Sequence, residues 1–202
     1  MTAVSRHFVL AAGGTGGHLI PAFVLAGELG RRGHHVALIP DARGAQTPGK
    51  PASLTAHVLP AGRLQGKNPL SWIKGVRAIL EGRRMALRLF ESFEPSCVVG
   101  FGGYPAFPAL LAAQSAGIPT VIHEQNAVLG RVNRFLAGKV NAIATAYSQI
   151  DRLAPKHEGK VHLVGNPIRS DVLALRDKPY PPFSEDGLLR VLVTGGSQGA
   201  RV

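Results

Sequence analysis

Short runs of apolar and β-branched residues alternate along this chain with longer amphipathic stretches, and that alternation predicts its elements. Residues 6–12, 35–40, 96–100, 120–123, 142–144 and 161–164 have the apolar character of strands. Residues 18–32, 69–91, 105–116 and 129–137 have the spacing and length of helices. Strands and helices alternating in this way imply an α/β fold, a doubly wound parallel sheet with right-handed crossovers. Ligands in such sheets sit outside the carboxyl ends of the strands, so chemistry is expected in the loops after Ala12, Gly100 and His123.

The pattern fails at residues 165–187, where Asn166-Pro167, Pro179, Pro181 and Pro182 stand among scattered charges. This reads as an interdomain linker with at most a short helix at 171–175, closing a first domain over residues 1–164. Residues 188–194 read as a further strand, followed by Gly195-Gly196-Ser197-Gln198-Gly199. That repeats, 182 residues on, the design of the strand ending at Ala12 and its Gly13-Gly14-Thr15-Gly16-Gly17 loop. Residues 188–202 are therefore expected to open a second, similarly built domain, nearly all of it beyond this chain.

Composition narrows the class. With 202 residues, 45% of them hydrophobic, 25 Gly and 15 Pro, the chain is neither a disordered tail, a collagen nor a coiled coil. The lone Cys97 can form neither an internal disulfide nor a cysteine metal cage, which points to a reducing compartment. Residues 95–122 carry no charge, yet their prolines and glycines break any spanning helix, and the apolar run 8–12 is too short for a signal-peptide core. The expectation is a protein that is soluble or attached to a membrane from one side.

The net charge of +11 is local. Between residues 61 and 90, Arg63, Lys67, Lys74, Arg77, Arg83, Arg84 and Arg88 face only Glu81. On a helix capped by Asn68 and opened by Pro69, Lys74, Arg77, Glu81, Arg84 and Arg88 form one stripe, with Trp72, Ile73, Val76, Ile79 and Leu80 on the other side. An ordinary helix packed on the sheet accounts for part of this. A basic stripe beside an early Trp also fits peripheral attachment to an anionic membrane surface. Nucleic acid is not expected, because no helix-turn-helix, zinc-finger or RNP signature occurs and aromatics are only 6%. No metal is expected either: Asp-x-Asp is absent, and His34-His35 lacks partners at ligand spacing.

The first glycine loop is the strongest chemical signal. Gly13, Gly14, Gly16 and Gly17 exceed what a turn requires, and the helix after them adds positive potential, so a phosphate-binding loop is expected. Leu19 occupies the third glycine position of G-x-G-x-x-G, although Asp41 stands where a ribose-binding acid would be, so a nicotinamide-dinucleotide oxidoreductase domain is the rival. Residues 44–50 imitate a P-loop, but Pro51 replaces its Ser or Thr, and they read as a flexible basic surface loop. His18 sits where the loop meets its helix, and positive potential there favours neutral imidazole; a general base and a simple helix cap are both open. Gly102, Gly103 and Tyr104 repeat the strand, glycine loop, helix arrangement, as a second anion site or as close packing. His123, Glu124, Gln125 and Asn126 end a buried strand with four polar residues, suited to binding a sugar or orienting a base.

Taken in order, Gly13 to His18 with Pro21-Ala22, Gly100 to Pro105, His123 to Asn126, Gly165 to Arg169 and Gly195 to Arg201 closely resemble the MurG family, the N-acetylglucosaminyltransferases of peptidoglycan synthesis. The resemblance covers essentially the whole chain and implies the Rossmann-like N-terminal half of a two-domain GT-B fold. It implies inverting transfer of N-acetylglucosamine from UDP-N-acetylglucosamine to the fourth-carbon hydroxyl of the N-acetylmuramoyl unit of lipid I, giving lipid II, at the cytoplasmic face of the bacterial inner membrane. His18 would deprotonate the hydroxyl, and Glu124 would orient or replace it. Both glycine loops would face the acceptor diphosphate. Thr15, Gly16, Gly17, Asn126, Arg169 and Ser197 match donor-contacting positions of the family. Arg169 and the Gly196–Gly199 loop would stabilise the departing UDP, so no cofactor is required. Because the family continues for a further domain, this chain alone is expected to be inactive. A non-catalytic lipid or diphosphate-binding module is the alternative.

Overall fold

The computed structural model describes residues 4–51, 54–62, 69–179 and 191–192. The expected strand at 188–194, the Gly195–Gly199 loop with Ser197, and Arg63, Lys67 and Asn68 fall wholly or largely outside them. The chain divides into two compact units, Met1–Pro167 and Ile168–Val202.

The first unit is a seven-stranded sheet built from β1 (His7–Ala11), β2 (His35–Ile39), β3 (Thr55–Ala56), β4 (Cys97–Gly100), β5 (Thr120–Glu124), β6 (Ala142–Thr145) and β7 (Val161–Leu163). Every pairing is parallel, and the spatial order is β3-β2-β1-β4-β5-β6-β7. The helices are α1 (Gly16–Arg31), α2 (Pro69–Phe93), α3 (Ala106–Ser115) and α4 (Arg131–Leu136). Within β1, Val9 and Ala11 pack toward one face with Ala86 and Phe90 of α2 and with α3, while Leu10 and Ala12 pack toward the other with Leu19, Ala22 and Phe23 of α1. Burial of both faces is why this strand reads as an unbroken apolar run.

Strand order reverses between β1 and β4, the point at which a doubly wound sheet opens a crevice. The loops leaving β1 and β4 carry the two glycine-rich segments, so both are delivered to the same place.

Several elements differ from the sequence pattern. The short edge strand β3 was not expected; it has two residues, too few to show a period. The first helix starts at Gly16 instead of residue 18, and α4 is confined to Arg131–Leu136. Gly44 is buried inside a 3-10 turn, Gly44–Gln46, so that part of the 44–50 segment is packed and not a surface loop.

On α2 the buried stripe is Gly75, Ile79, Gly82, Ala86 and Phe90. Of the apolar side expected from the sequence only Ile79 is buried; Trp72, Ile73, Val76 and Leu80 are exposed, as are Lys74 and Arg77. The reason is steric. The backbone around Pro60 and Gly62 lies directly on α2, so close to Gly75 and Gly82 that a Cβ on Gly62 or on Gly82 would strike it. Glycines thus define the covered face, and the larger apolar residues turn outward. Among the described residues, no helix is long and apolar enough to cross a membrane.

The second unit contains α5 (Ser170–Leu173). Arg169 stands at its N-cap position, with Nε 3.5 Å from Asp171 Oδ1.

Candidate active site

Thr15 is the N-cap residue of α1, with extended backbone, yet its hydroxyl does not cap the helix. Instead Oγ1 lies 3.1 Å from Nδ1 of His18, fixing the imidazole from one side. From the other side the ring rests on the loop after β4: a Cβ on Gly102 would stand 2.9 Å from both Cδ2 and Nε2. Gly102 has φ +93°, a conformation that glycine tolerates and L-residues avoid.

The two glycine loops interlock. A Cβ on Gly103 would collide with the carbonyl of Gly13, and one on Gly13 would stand 2.5 Å from Cγ of Pro105. Close packing therefore explains Gly13, Gly102 and Gly103. Gly16 and Gly17 meet nothing nearer than 3.6 Å, so packing does not explain them. They form the uncapped first turn of α1, where amides and the helix dipole favour an anion.

Asp41 is a brace. Its Oδ2 accepts from Gly14 N at 3.2 Å and its Oδ1 from Gly44 N at 2.8 Å. A carboxylate committed to two backbone amides is not presented to a ribose, which removes the residue that favoured the dinucleotide rival.

Glu124, at the end of β5, is 2% exposed. Its Oε1 accepts from N and Nδ2 of Asn126 at 3.2 and 3.0 Å; its Oε2 accepts from Gly130 N and Asn133 Nδ2, both at 2.9 Å. Four donors around one carboxylate hold it in place. Burial lowers the pKa of His18 below its ordinary 6.5, while the charge of Glu124 pulls it up. The result is a neutral imidazole at neutral pH with a fixed anion nearby, the electrostatic setting of a general base.

His18, Gly102, Gly103, Tyr104, Glu124 and Asn126 line one cavity of about 470 Å³. Thr15 is not among its lining residues and meets it only through its contact with His18. Gly16 and Gly17 are not among its lining residues, although they belong to the same loop as Thr15. Trp72, Ile73, Lys74, Val76 and Arg77 lie on the exposed surface of α2, outside the lining. Arg169 belongs to the second unit, and Ser197 lies outside the described residues.

Sequence reasoning missed Asn133 and the role of His123. Asn133 is 2% exposed; its Nδ2 serves Glu124 and lies 3.3 Å from the His123 carbonyl, while its Oδ1, among the described residues, has no hydrogen-bond partner. The available signal was an amide within the apolar stripe Leu129, Leu136, Ala137 and Val140. His123 stands with Nε2 3.0 Å from the Gly165 carbonyl and Nδ1 2.9 Å from Nε2 of Gln125, tying the end of β5 to the start of the expected linker. Phe107, Arg131, Val132 and Phe135 complete the wall and were not singled out.

Comparison with known proteins bears on this geometry. Residues 8–145 match the family described as the glycosyltransferase family 28 N-terminal domain. The chain is 76% identical over all its 202 residues to a UDP-N-acetylglucosamine--N-acetylmuramyl-(pentapeptide) pyrophosphoryl-undecaprenol N-acetylglucosamine transferase of Novosphingobium aromaticivorans, covering 52% of that protein. It is 72% identical to the protein of the same name from Erythrobacter litoralis, covering 50% of it. The chain thus spans about half the length of the curated relatives it matches. The crystal structure of Acinetobacter baumannii MurG superposes on 88% of this chain with a TM-score of 0.65 at 28% identity, using 50% of that chain. With a sheet switch point, interlocked glycine loops and a buffered histidine all falling inside the matched span, the chain belongs to glycosyltransferase family 28 and carries its N-terminal domain.

Proposed function

We propose that this chain is the acceptor-binding half of an inverting N-acetylglucosaminyltransferase, acting at the cytoplasmic face of the bacterial inner membrane. The acceptor is lipid I, an undecaprenyl-diphosphate-linked N-acetylmuramoyl pentapeptide, and the donor is UDP-N-acetylglucosamine. The observation that carries this reading is His18, clamped between Thr15 and Gly102 and facing a cavity that holds the buried Glu124.

With Nδ1–H donating to Thr15 Oγ1, Nε2 carries the lone pair. It takes the proton of the sugar hydroxyl as that oxygen bonds to the anomeric carbon of the donor and the bond to UDP breaks. The imidazolium so formed is stabilised by the charge of Glu124. Amides of Gly16 and Gly17 and the loop of Gly102, Gly103 and Tyr104 hold the acceptor diphosphate. Asn126 and Thr15 reach toward the donor. Arg169 and Ser197, together with the remaining half found in the longer relatives, stabilise the departing UDP, so this reading gives a metal no role.

The exposed apolar and basic residues of α2, among them Trp72, Ile73, Val76, Lys74 and Arg77, support peripheral attachment to an anionic membrane surface.

The test is transfer of labelled N-acetylglucosamine to lipid I by this chain fused in frame to the C-terminal half of the Novosphingobium relative. Transfer by the fusion, none by the isolated chain, and a loss of about 10²-fold or more in His18→Ala are expected. An active isolated chain, or a fully active His18→Ala fusion, would refute the proposal.

A further inference from the structure

The cavity lining combines two kinds of side chain. His18, Tyr104, Glu124, Asn126, Arg131 and Asn133 carry polar groups. Ile79 of α2, Phe107 of α3, and Val132 and Phe135 of α4 form an apolar wall that offers no side-chain hydrogen-bonding group. Phe107 and Phe135 meet edge to face with centroids 5.3 Å apart, and Phe135 is 61% exposed. Lys139 Nζ stands 6.0 Å from the centroid of that ring.

We infer that this apolar wall is a subsite for the first isoprene units of a prenyl diphosphate, holding the lipid next to its phosphates inside the cleft instead of leaving the whole chain in the bilayer. The inference rests on the diphosphate reading above. Two observations select a hydrocarbon over a sugar or peptide. Ile79, Phe107, Val132 and Phe135 supply no polar partner, whereas a sugar ring or peptide would bring hydroxyls and amides that need one, and Arg131, the charged residue of α4 in the same lining, suits the phosphates. The wall is also continuous with the outer surface of α2: Ile79 lines the cavity, while its neighbours Val76 and Leu80 on the same helix are exposed. A tail leaving the cavity along Ile79 therefore passes onto the face proposed to meet the membrane.

The test is calorimetric titration of the 202-residue chain with inorganic pyrophosphate and with farnesyl diphosphate. Pyrophosphate is expected to bind. Farnesyl diphosphate is expected to compete with it and to bind at least about tenfold more tightly, since burying even two or three methylene equivalents suffices. Phe135→Ala should bring farnesyl diphosphate to within about threefold of pyrophosphate, and Phe135→Trp should restore the preference. Equal affinities in the unaltered chain, or a preference that survives Phe135→Ala, would overturn the inference while leaving diphosphate binding intact. A preference abolished by Leu80→Ser and untouched by Phe135→Ala would place the tail on the outer face of α2 and also overturn it. If neither ligand binds, the diphosphate reading itself falls, and this inference with it.

Discussion

The imidazole of His18 rests on the α-carbon of Gly102, with no room between them for a methyl group. Gly102→Ala must therefore move the ring as well as force an L-residue to φ +93°. The backbone strain costs about 1–3 kcal/mol, visible as a lower denaturation midpoint. In the fused enzyme a displaced base is expected to lower kcat by about 10- to 100-fold, with less effect on donor KM. Gly16→Ala is the contrast: its Cβ would meet only Cδ1 of Ile20, at 3.7 Å, so stability should hardly change while affinity for a diphosphate falls.

The carboxylate of Glu124 is read most directly by Glu124→Gln. Replacing one oxygen with NH₂ sets a donor against two donors, either the pair from Asn126 or the pair from Gly130 and Asn133. A loss of about 1–3 kcal/mol in unfolding free energy is expected. Removal of the charge also removes the influence that raises the His18 pKa, so the imidazole should titrate at still lower pH, as followed by NMR of its ring protons. Stability loss with an unmoved His18 titration would reduce Glu124 to a purely structural role.

Both glycine loops, His18 and the polar end of β5 were legible in the sequence because they fall where a parallel sheet delivers its loops, and local spacing fixed them. The partners of these residues were less legible. Asn133 reaches Glu124 and the His123 carbonyl through tertiary packing of α4 on β5, and nothing in residues 131–136 names that neighbour. The faces of α2 were misjudged because apolar periodicity counts Trp72 and Val76 but gives no weight to Gly82, although Pro60 needs that glycine, and the contact with Gly75 needs Gly62, for the chain to lie on the helix. Asp41 looked like a ligand because its position after β2 is diagnostic only when the carboxylate is not already holding Gly14 and Gly44.

Acid should destabilise the fold through two histidines. Burial holds the pKa values of His18 and His123 below their ordinary 6.5, partly offset at His123 by the Gly165 carbonyl. The folded chain thus binds fewer protons than the unfolded one at mildly acid pH. Above about pH 6.5 the two groups contribute no pH dependence; as pH falls below it the unfolded chain gains protons and stability declines, levelling only below the folded values. Each group contributes at most about 1.4 kcal/mol per pH unit. Urea midpoints at pH 7.5 and pH 5.5 should differ accordingly, and His123→Asn should reduce the difference while lowering stability at both. The same depression of His18 predicts that the acid limb of kcat/KM in the fused enzyme lies below 6.5.

Attachment through α2 can be followed with the residue that would mediate it, since Trp72 is the only tryptophan in the chain and is 47% exposed. Insertion into a headgroup region should shift its emission to the blue when vesicles containing anionic phospholipid are added at low salt. Neutral vesicles should give little shift, and rising ionic strength should reverse it, because each nearby Lys or Arg contributes only about 1 kcal/mol within a Debye length. Arg77→Glu exchanges one attraction for one repulsion and should weaken vesicle partitioning by about 2 kcal/mol, roughly 30-fold. Ile73→Ser with Val76→Ser removes apolar insertion and should weaken partitioning to neutral and anionic vesicles alike. The two variants therefore separate the electrostatic from the hydrophobic contribution. An emission spectrum unmoved by anionic vesicles, or partitioning indifferent to both variants, would leave the exposed apolar residues of α2 without a membrane role.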